Sequence, residues 1–163
     1  MKSLTTFVLL LSVQYIAHAD IRLPSLFSDR MVLQQKTANI VWGFAEPGEK
    51  VSVEASWGKT AETTANAVGK WRVSLETPLH GTGYSITIRG NNAILLKDIA
   101  IGEVWLCAGQ SNMGWALGNC FDADREAVRA NAPDLRIFKS SREHWHEPLE
   151  ESRDLLATWV SCT

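Results

Sequence analysis

The sequence predicts an antiparallel β-sandwich followed by the beginning of an α/β domain. Two observations lead to this prediction. Residues 20–100 consist of short runs rich in Val, Ile, Thr and aromatic residues, and turns separate these runs without any helical pattern. From residue 101 onward, an apolar run is followed by a small polar turn, a helical pattern and a second apolar run. We therefore expect one domain over residues 20–100 and another over residues 101–163.

Residues 1–19 have the composition of a secretory signal peptide. Lys2 supplies a positive charge, residues 7–16 are mainly apolar, and Ala17-His18-Ala19 is a small-x-small cleavage site. The apolar run is much shorter than the ~20 residues that a membrane-spanning helix needs. We expect a mature chain that begins at Asp20, a secreted or periplasmic protein, and no membrane partner.

Six segments of the first domain have the pattern of β-strands. KVSVE at residues 50–54 and YSITIR at residues 84–89 alternate apolar and polar side chains, as a strand with one buried face requires. Regular spacing of such strands favours an antiparallel sandwich of roughly six to eight strands. The predicted strands are residues 31–35, 39–43, 51–57, 71–75, 84–89 and 93–99.

The second domain is predicted to open with a strand, a turn, a helix and a strand. Residues 101–107 are almost all apolar, which is typical of a strand buried on both faces. Asp122 is the N-cap candidate of a helix that Ala132-Pro133 stops, and residues 135–138 form the next predicted strand. Because complete domains of this kind have about 100–150 residues, we expect this one to be incomplete, with a small complete appendage as the alternative.

Charge and cysteine usage exclude several classes of function. The net charge is −2 with no block of Lys or Arg, so we expect no nucleic-acid partner. The three cysteines, Cys107, Cys120 and Cys162, are an odd number without a C-x-x-C pair, which argues against a metal site and leaves the disulfide pairing open. Cys107 lies in an apolar run and is expected to be a buried structural residue.

The segment GEVWLCAGQSNMGW, residues 102–115, contains the candidate nucleophile Ser111. The carboxyl end of a buried strand is where ligands bind in open α/β sheets, and the Ser111 N–H is a candidate oxyanion donor. From the spacing alone, a serine in such a turn is more often only a turn residue. Met113 also replaces the second glycine of the G-x-S-x-G nucleophile motif.

Four motifs resemble the sialate O-acetylesterase family: LPSLFSDRMVLQQ at residues 23–35, VWGFAEPGEKVSV at 41–53, GKWRVSL at 69–75 and GEVWLCAGQSNM at 102–113. ATWVSCT at residues 157–163 is similar to a later segment of that family. The resemblance implies an SGNH (GDSL-like) hydrolase domain after a β-sandwich. It also implies a serine esterase that removes acetyl groups from carbohydrates without a metal or other cofactor.

The resemblance assigns a role to one residue. Ser111 matches the family's nucleophile, and its backbone N–H matches one donor of the oxyanion hole. The family's other donors and its D-x-x-H pair come later in the chain, so we expect them beyond Thr163 and expect the chain as written to be inactive. Gly114 and Ala116-Leu117 depart from the Glu and the Pro-Leu usual in relatives, so the resemblance assigns no substrate contacts near the turn.

Three histidines are alternative partners for Ser111. His80 lies in a predicted sandwich turn, and His144 and His146 flank a tryptophan. The last two share one side of an extended segment, but a metal site would need a third ligand. Solvated loop histidines are the simpler interpretation of all three.

Seven tryptophans suggest an alternative function, a carbohydrate-binding β-sandwich without catalytic activity. Trp42 and Trp71 lie in apolar strand patterns and are expected in the core, whereas Trp57 beside Gly58 is the surface candidate. In a third interpretation, the sandwich only packs against the catalytic domain and stabilises it. The sequence leaves the oligomeric state and the identity of the acetylated sugar open.

Overall fold

A computed structural model describes residues 20–140, residue 146 and residues 157–162. The predicted signal peptide and His144 lie outside these ranges. The described residues are mostly β-structure, with a helix α1 (Ala123–Arg129) and two 3-10 turns, Ser111–Gly114 and Leu117–Asn119. The strands are β1 (Val32–Gln34), β2 (Ala38–Phe44), β3 (Lys50–Ala55), β4 (Thr60–Thr64), β5 (Lys70–Glu76), β6 (Gly81–Arg89), β7 (Ala93–Gly102), β8 (Ala132–Phe138) and β9 (Trp159–Cys162). No helix in the described ranges is long and apolar enough to cross a membrane.

The largest sheet has five strands in the order β1-β7-β6-β3-β4. Its inner pairs are antiparallel, but β1 runs parallel to β7, with Val32 opposite Ala100 and Gln34 opposite Gly102. The prediction of a purely antiparallel arrangement was therefore wrong, and the sheet is mixed. Parallel pairing needs a long connection between the two strands, and the chain from β2 to β6 provides it.

Strands β2 and β5 form a second, two-stranded sheet that pairs without a break from Ala38 opposite Glu76 to Phe44 opposite Lys70. Every second residue of β5 is buried: Trp71, Val73 and Leu75. These side chains belong to one hydrophobic cluster with Val53 of β3 and Ile86 of β6. Burial of this apolar surface from both sheets is the main stabilising contribution to this part of the fold.

Alternation predicted the strands of this region well where one face is buried. Val51 and Val53 of β3, and Ile86 and Ile88 of β6, face the core as predicted. Strand β4 was missed because its five residues, TAETT, include no fully buried side chain. It pairs with β3 at the edge of the sheet, where little apolar patterning is needed.

The predicted buried strand at residues 101–107 was wrong. Strand β7 ends at Gly102, and residues 103–109 have no regular secondary structure. Trp105 and Leu106 are 82% and 94% exposed, and Cys107 is exposed rather than buried. Within the described part of the chain, no strand pairs with this segment.

The helix and the strand that follow it were predicted correctly in type. Helix α1 lies inside the predicted range, although Asp122 has a left-handed backbone (φ 60°) and its side chain makes no capping hydrogen bond. Strand β8 begins at Ala132, so Pro133 lies within the strand. The β8–β9 ribbon joins the hydrophobic core through Trp159, which is 9% exposed and donates from Nε1 to the Leu26 carbonyl at 2.9 Å.

Candidate functional site

Ser111 is the first residue of the 3-10 turn Ser111–Gly114. Gln110 precedes it in an extended conformation, with φ −98° and ψ −156°. The Met113 N–H donates to the Gln110 carbonyl at 3.0 Å, and the Trp115 N–H donates to the Asn112 carbonyl at 3.1 Å. The first of these bonds spans Ser111, and the second closes the part of the turn that follows it.

Gly109 allows the close packing that shapes this turn. A Cβ atom at Gly109 would lie 2.6 Å from Cγ of Met113, so any larger residue would displace the methionine. On the other side of the turn, Trp115 donates from Nε1 to the Asn119 carbonyl at 3.2 Å. Two local contacts therefore flank the segment GQSN: the packing of Met113 on Gly109 and the hydrogen bond from Trp115 to Asn119.

Ser111 is exposed, and both of its polar groups are available to a ligand. Neither its hydroxyl nor its backbone N–H makes a hydrogen bond with any residue that the structure describes. An exposed hydroxyl beside an uncommitted N–H has the two groups that acyl transfer uses, a nucleophile and an oxyanion donor. The arrangement still lacks a base, because a serine hydroxyl needs one to become a nucleophile.

Glu103 ties the segment before the turn to β1. Its carboxylate accepts hydrogen bonds from Nε2 of Gln34 at 2.9 Å and from Nε2 of Gln35 at 2.7 Å. The Gln34 hydrogen bond, and then that of Gln35, holds the pKa of Glu103 below its ordinary value. Gln34 also accepts from the Val104 N–H at 2.8 Å, so the same side chain fixes the backbone that leads to Ser111.

The described histidines do not contact Ser111. His80 is exposed, and its backbone N–H donates to Oε1 of Gln35 at 3.0 Å. His146 is also exposed, and neither imidazole makes a hydrogen bond with Ser111 among the described residues. His144, the third candidate, lies outside the described ranges.

Among the described residues, the candidates form neither a metal site nor a disulfide. Cys107, Cys120 and Cys162 all have free thiols. In the ranges that the structure covers, no three His, Cys, Asp or Glu residues come close enough together to hold a metal ion.

A pocket of about 430 Å³ lies where the β6–β7 pair meets the β8–β9 ribbon. His80, Glu103, Asp134, Arg136 and Trp159 are among its lining residues, whereas Ser111 is not. Sequence reasoning did not single out Asp134 or Arg136. Their position in a short apolar strand was the available signal, because charged residues are uncommon in such strands.

The tryptophans differ from the prediction at two positions. Trp71 is in the core as expected, but Trp42 is only partly buried and faces outward from β2. Trp57, the surface candidate, is partly buried and donates from Nε1 to the Glu76 carbonyl at 2.8 Å. Its ring also meets Tyr84 edge-on, with 5.4 Å between the ring centroids. The contacts with Glu76 and Tyr84 therefore hold the Trp57 side chain against the protein.

Comparison with known proteins finds relatives that share one name, sialate O-acetylesterase. The chain is 28% identical over 154 residues to the mouse sialate O-acetylesterase, which aligns with 87% of this chain. It is 31% identical over 144 residues to the human sialate O-acetylesterase, covering 80% of this chain. The chain spans only 28% and 27% of the lengths of these two relatives. No protein-family model matches it.

A solved structure is similar in both fold and sequence. It is a carbohydrate acetylesterase from Xanthomonas citri, with a TM-score of 0.80 and 31% identity. The alignment covers 88% of this chain and 33% of that protein. The sequence and structure comparisons therefore agree on relatives that act on acetyl esters.

Proposed function

This chain belongs to the sialate O-acetylesterase family, and from that premise we propose that it forms part of a serine esterase that removes O-acetyl groups from carbohydrates. We further propose Ser111 as the nucleophile. The observation that carries this assignment is the turn at residues 111–114, whose exposed first residue has both a hydroxyl and a backbone N–H without partners among the described residues. The order of the domains, a β-sandwich before an SGNH hydrolase domain, is part of the same proposal.

The proposed reaction is acyl transfer in two steps. The Ser111 hydroxyl attacks the acetyl carbonyl carbon, and its proton passes to a base and then to the departing sugar oxygen. The carbonyl oxygen becomes negatively charged and accepts a hydrogen bond from the Ser111 N–H. One such donor contributes about 3–4 kcal/mol to the transition state in well-studied hydrolases. Water then attacks the acetyl-serine and releases acetate, and no metal takes part.

The base is proposed to come from polypeptide outside the described residues, in a larger catalytic domain. Four large apolar side chains after Gly102 support such a domain, because they are 82% to 98% exposed: Trp105, Leu106, Phe121 and Val128. Exposed apolar surface of this kind usually marks an interaction site, and the rest of a hydrolase domain would bury it. The composition of residues 1–19 supports export of the protein.

The test is acetate release by the full-length protein. We expect Ser111→Ala to reduce release from O-acetylated sialic acid and from 4-nitrophenyl acetate by at least about 1,000-fold, because the residual rate then depends on binding and oxyanion contacts alone. Ser74→Ala, at an exposed position of β5, is the matched control and should leave the rate unchanged. Activity retained by a folded Ser111→Ala variant would contradict the assignment.

A further inference from the structure

A second pocket, which we call the outer pocket, lies on the β2–β5 sheet and has a volume of about 380 Å³. Ile40 and Trp42 of β2 supply its apolar surface, and Asn66, Lys70 and Arg72 supply most of its polar groups. Trp42 and Arg72 are directly paired across the two strands, so their side chains share one face. Ser111 does not line this pocket.

The polar groups of the outer pocket are mainly hydrogen-bond donors. Asn66 uses its Oδ1 to accept from the backbone N–H groups of Val68 at 3.0 Å and Lys70 at 2.9 Å. Its Nδ2 remains as the group that can donate to a ligand. Arg72 is exposed and makes no ion pair or hydrogen bond with any described residue. No lining residue carries a carboxylate, so the ligand that fits is negative and rich in acceptors.

Trp71 also borders the outer pocket, but its side chain lies on the core face of β5, opposite to that of Arg72. The residue is 3% exposed, and its indole Nε1 is buried without a hydrogen-bond partner among the described residues. This donor is therefore out of reach of a ligand in the outer pocket. Gly43 permits this placement of the indole, because a Cβ there would lie 2.8 Å from Cζ2 of Trp71.

The aromatic surface of the pocket indicates the rest of the ligand. Trp42 is held by an edge-on contact with Phe27, with 4.5 Å between the ring centroids, and Ile40 is 40% exposed beside it. A fixed indole and an exposed aliphatic side chain suit the apolar face of a sugar ring, whereas a small inorganic anion would use neither. We propose that the outer pocket binds a sugar residue that carries a carboxylate, at a site separate from Ser111.

The test uses the indole N–H signals of the protein in nitrogen-15 correlation spectra. Sodium glucuronate is the probe, with glucose and sodium acetate at the same ionic strength as controls. We expect glucuronate to shift the Trp42 signal saturably, and to bind about tenfold or more tightly than either control, because each control lacks one of the two recognised features. Equal binding of acetate would indicate an anion contact only, and equal binding of glucose would show that the Arg72 charge plays no part. Either result, or no saturable shift, would overturn the proposal.

Two variants locate the site. Asn66→Asp keeps an oxygen for the Val68 and Lys70 N–H groups but replaces the donor with a negative charge, so the turn should survive. Arg72→Gln removes a charge from the pocket, and Lys97→Gln removes one from an exposed position of β7. We expect the first two to weaken glucuronate binding about tenfold or more, as for the loss of a charge-assisted hydrogen bond, and Lys97→Gln to leave it unchanged. Equal weakening by all three would overturn the assignment. The outer-pocket proposal does not depend on the role of Ser111, so an experiment can contradict one of the two proposals without affecting the other.

Discussion

Arg136 of β8 donates hydrogen bonds to both the carbonyl and the carboxylate of Asp98 in β7. The carboxylate contact, from Nη2 to Oδ1, is 3.0 Å long, and Nη1 also donates to the Arg30 carbonyl at 3.0 Å. Asp98 has a left-handed backbone with φ 52°, a conformation that is unfavourable for most residues other than glycine. This contact fixes the β8–β9 ribbon, which follows the Ser111 turn in the chain, against the five-stranded sheet.

Loss of the Arg136 contacts should destabilise the protein. The Arg136 side chain is 7% exposed, so Arg136→Met would leave the carbonyls of Arg30 and Asp98 without this donor. We expect the free energy of unfolding, measured in urea, to fall by about 2–3 kcal/mol. Arg129→Met is the control, because the Arg129 side chain forms an exposed ion pair with Glu126 at 3.5 Å as its one contact of this kind among the described residues, and its loss should cost less than about 0.5 kcal/mol. Equal effects of the two substitutions would show that the Arg136 contacts contribute little.

A methyl group at Gly43 should also be destabilising. The added Cβ would lie 2.6 Å from the Arg22 carbonyl oxygen and 2.8 Å from Cζ2 of Trp71. Since both neighbours are packed in place, we expect Gly43→Ala to lower the free energy of unfolding by about 1–3 kcal/mol. Gly102→Ala is the matched substitution, because nothing lies within 4 Å of a Cβ at Gly102. Equal thermal unfolding midpoints for the two variants would contradict the close contact between Trp71 and Gly43.

The Glu103 contacts should make stability depend on pH. Hydrogen bonds from Gln34 and then Gln35 lower the pKa of Glu103 from 4.5, so the folded state favours the ionised carboxylate. This contribution is complete above the unfolded pKa and is lost as the pH falls through the lower folded pKa. We expect Glu103→Gln to lower the thermal midpoint at about pH 7, with a difference from the unsubstituted protein that shrinks toward about pH 3.

Glu62→Gln serves as the control for this pH profile. Glu62 lies on the exposed side of the edge strand β4 and makes no hydrogen bond with the described residues. Its substitution should shift the midpoint little at either pH. A Glu103→Gln profile parallel to that of the unsubstituted protein at all pH values would argue against the Gln34 and Gln35 contacts.

The alternation of apolar and polar residues predicted the strands that have one buried face. It did not predict the pairing of strands that lie far apart in the sequence. The alternation in β3 and β6 needs only a shared core, and it placed Val53 and Ile86 correctly. The parallel pairing of Leu33 with Ile101 joins residues far apart in the chain, and no local pattern encodes it. The apolar run that includes Trp105 was assigned to a buried strand because periodicity cannot tell whether a covering surface is present.

The candidate site was predictable only in part. The motif GQSNM led to Ser111 through its resemblance to a family, and its role as nucleophile remains a prediction. The outer pocket could not be found from sequence, because Trp42 reads as a core residue in an apolar strand. Its partial exposure follows from which face of β2 meets Phe27 and Arg72, and that depends on the tertiary arrangement.

The central claim is that Ser111 is an activated nucleophile. The most direct test is to treat the naturally produced protein with a fluorophosphonate and locate the label by peptide mass spectrometry. We expect one adduct on the peptide that contains Ser111, and none in the Ser111→Ala variant, because only a serine with an adjacent base reacts. An acetate-releasing preparation that is labelled on a different residue, or that reacts equally without Ser111, would contradict the account.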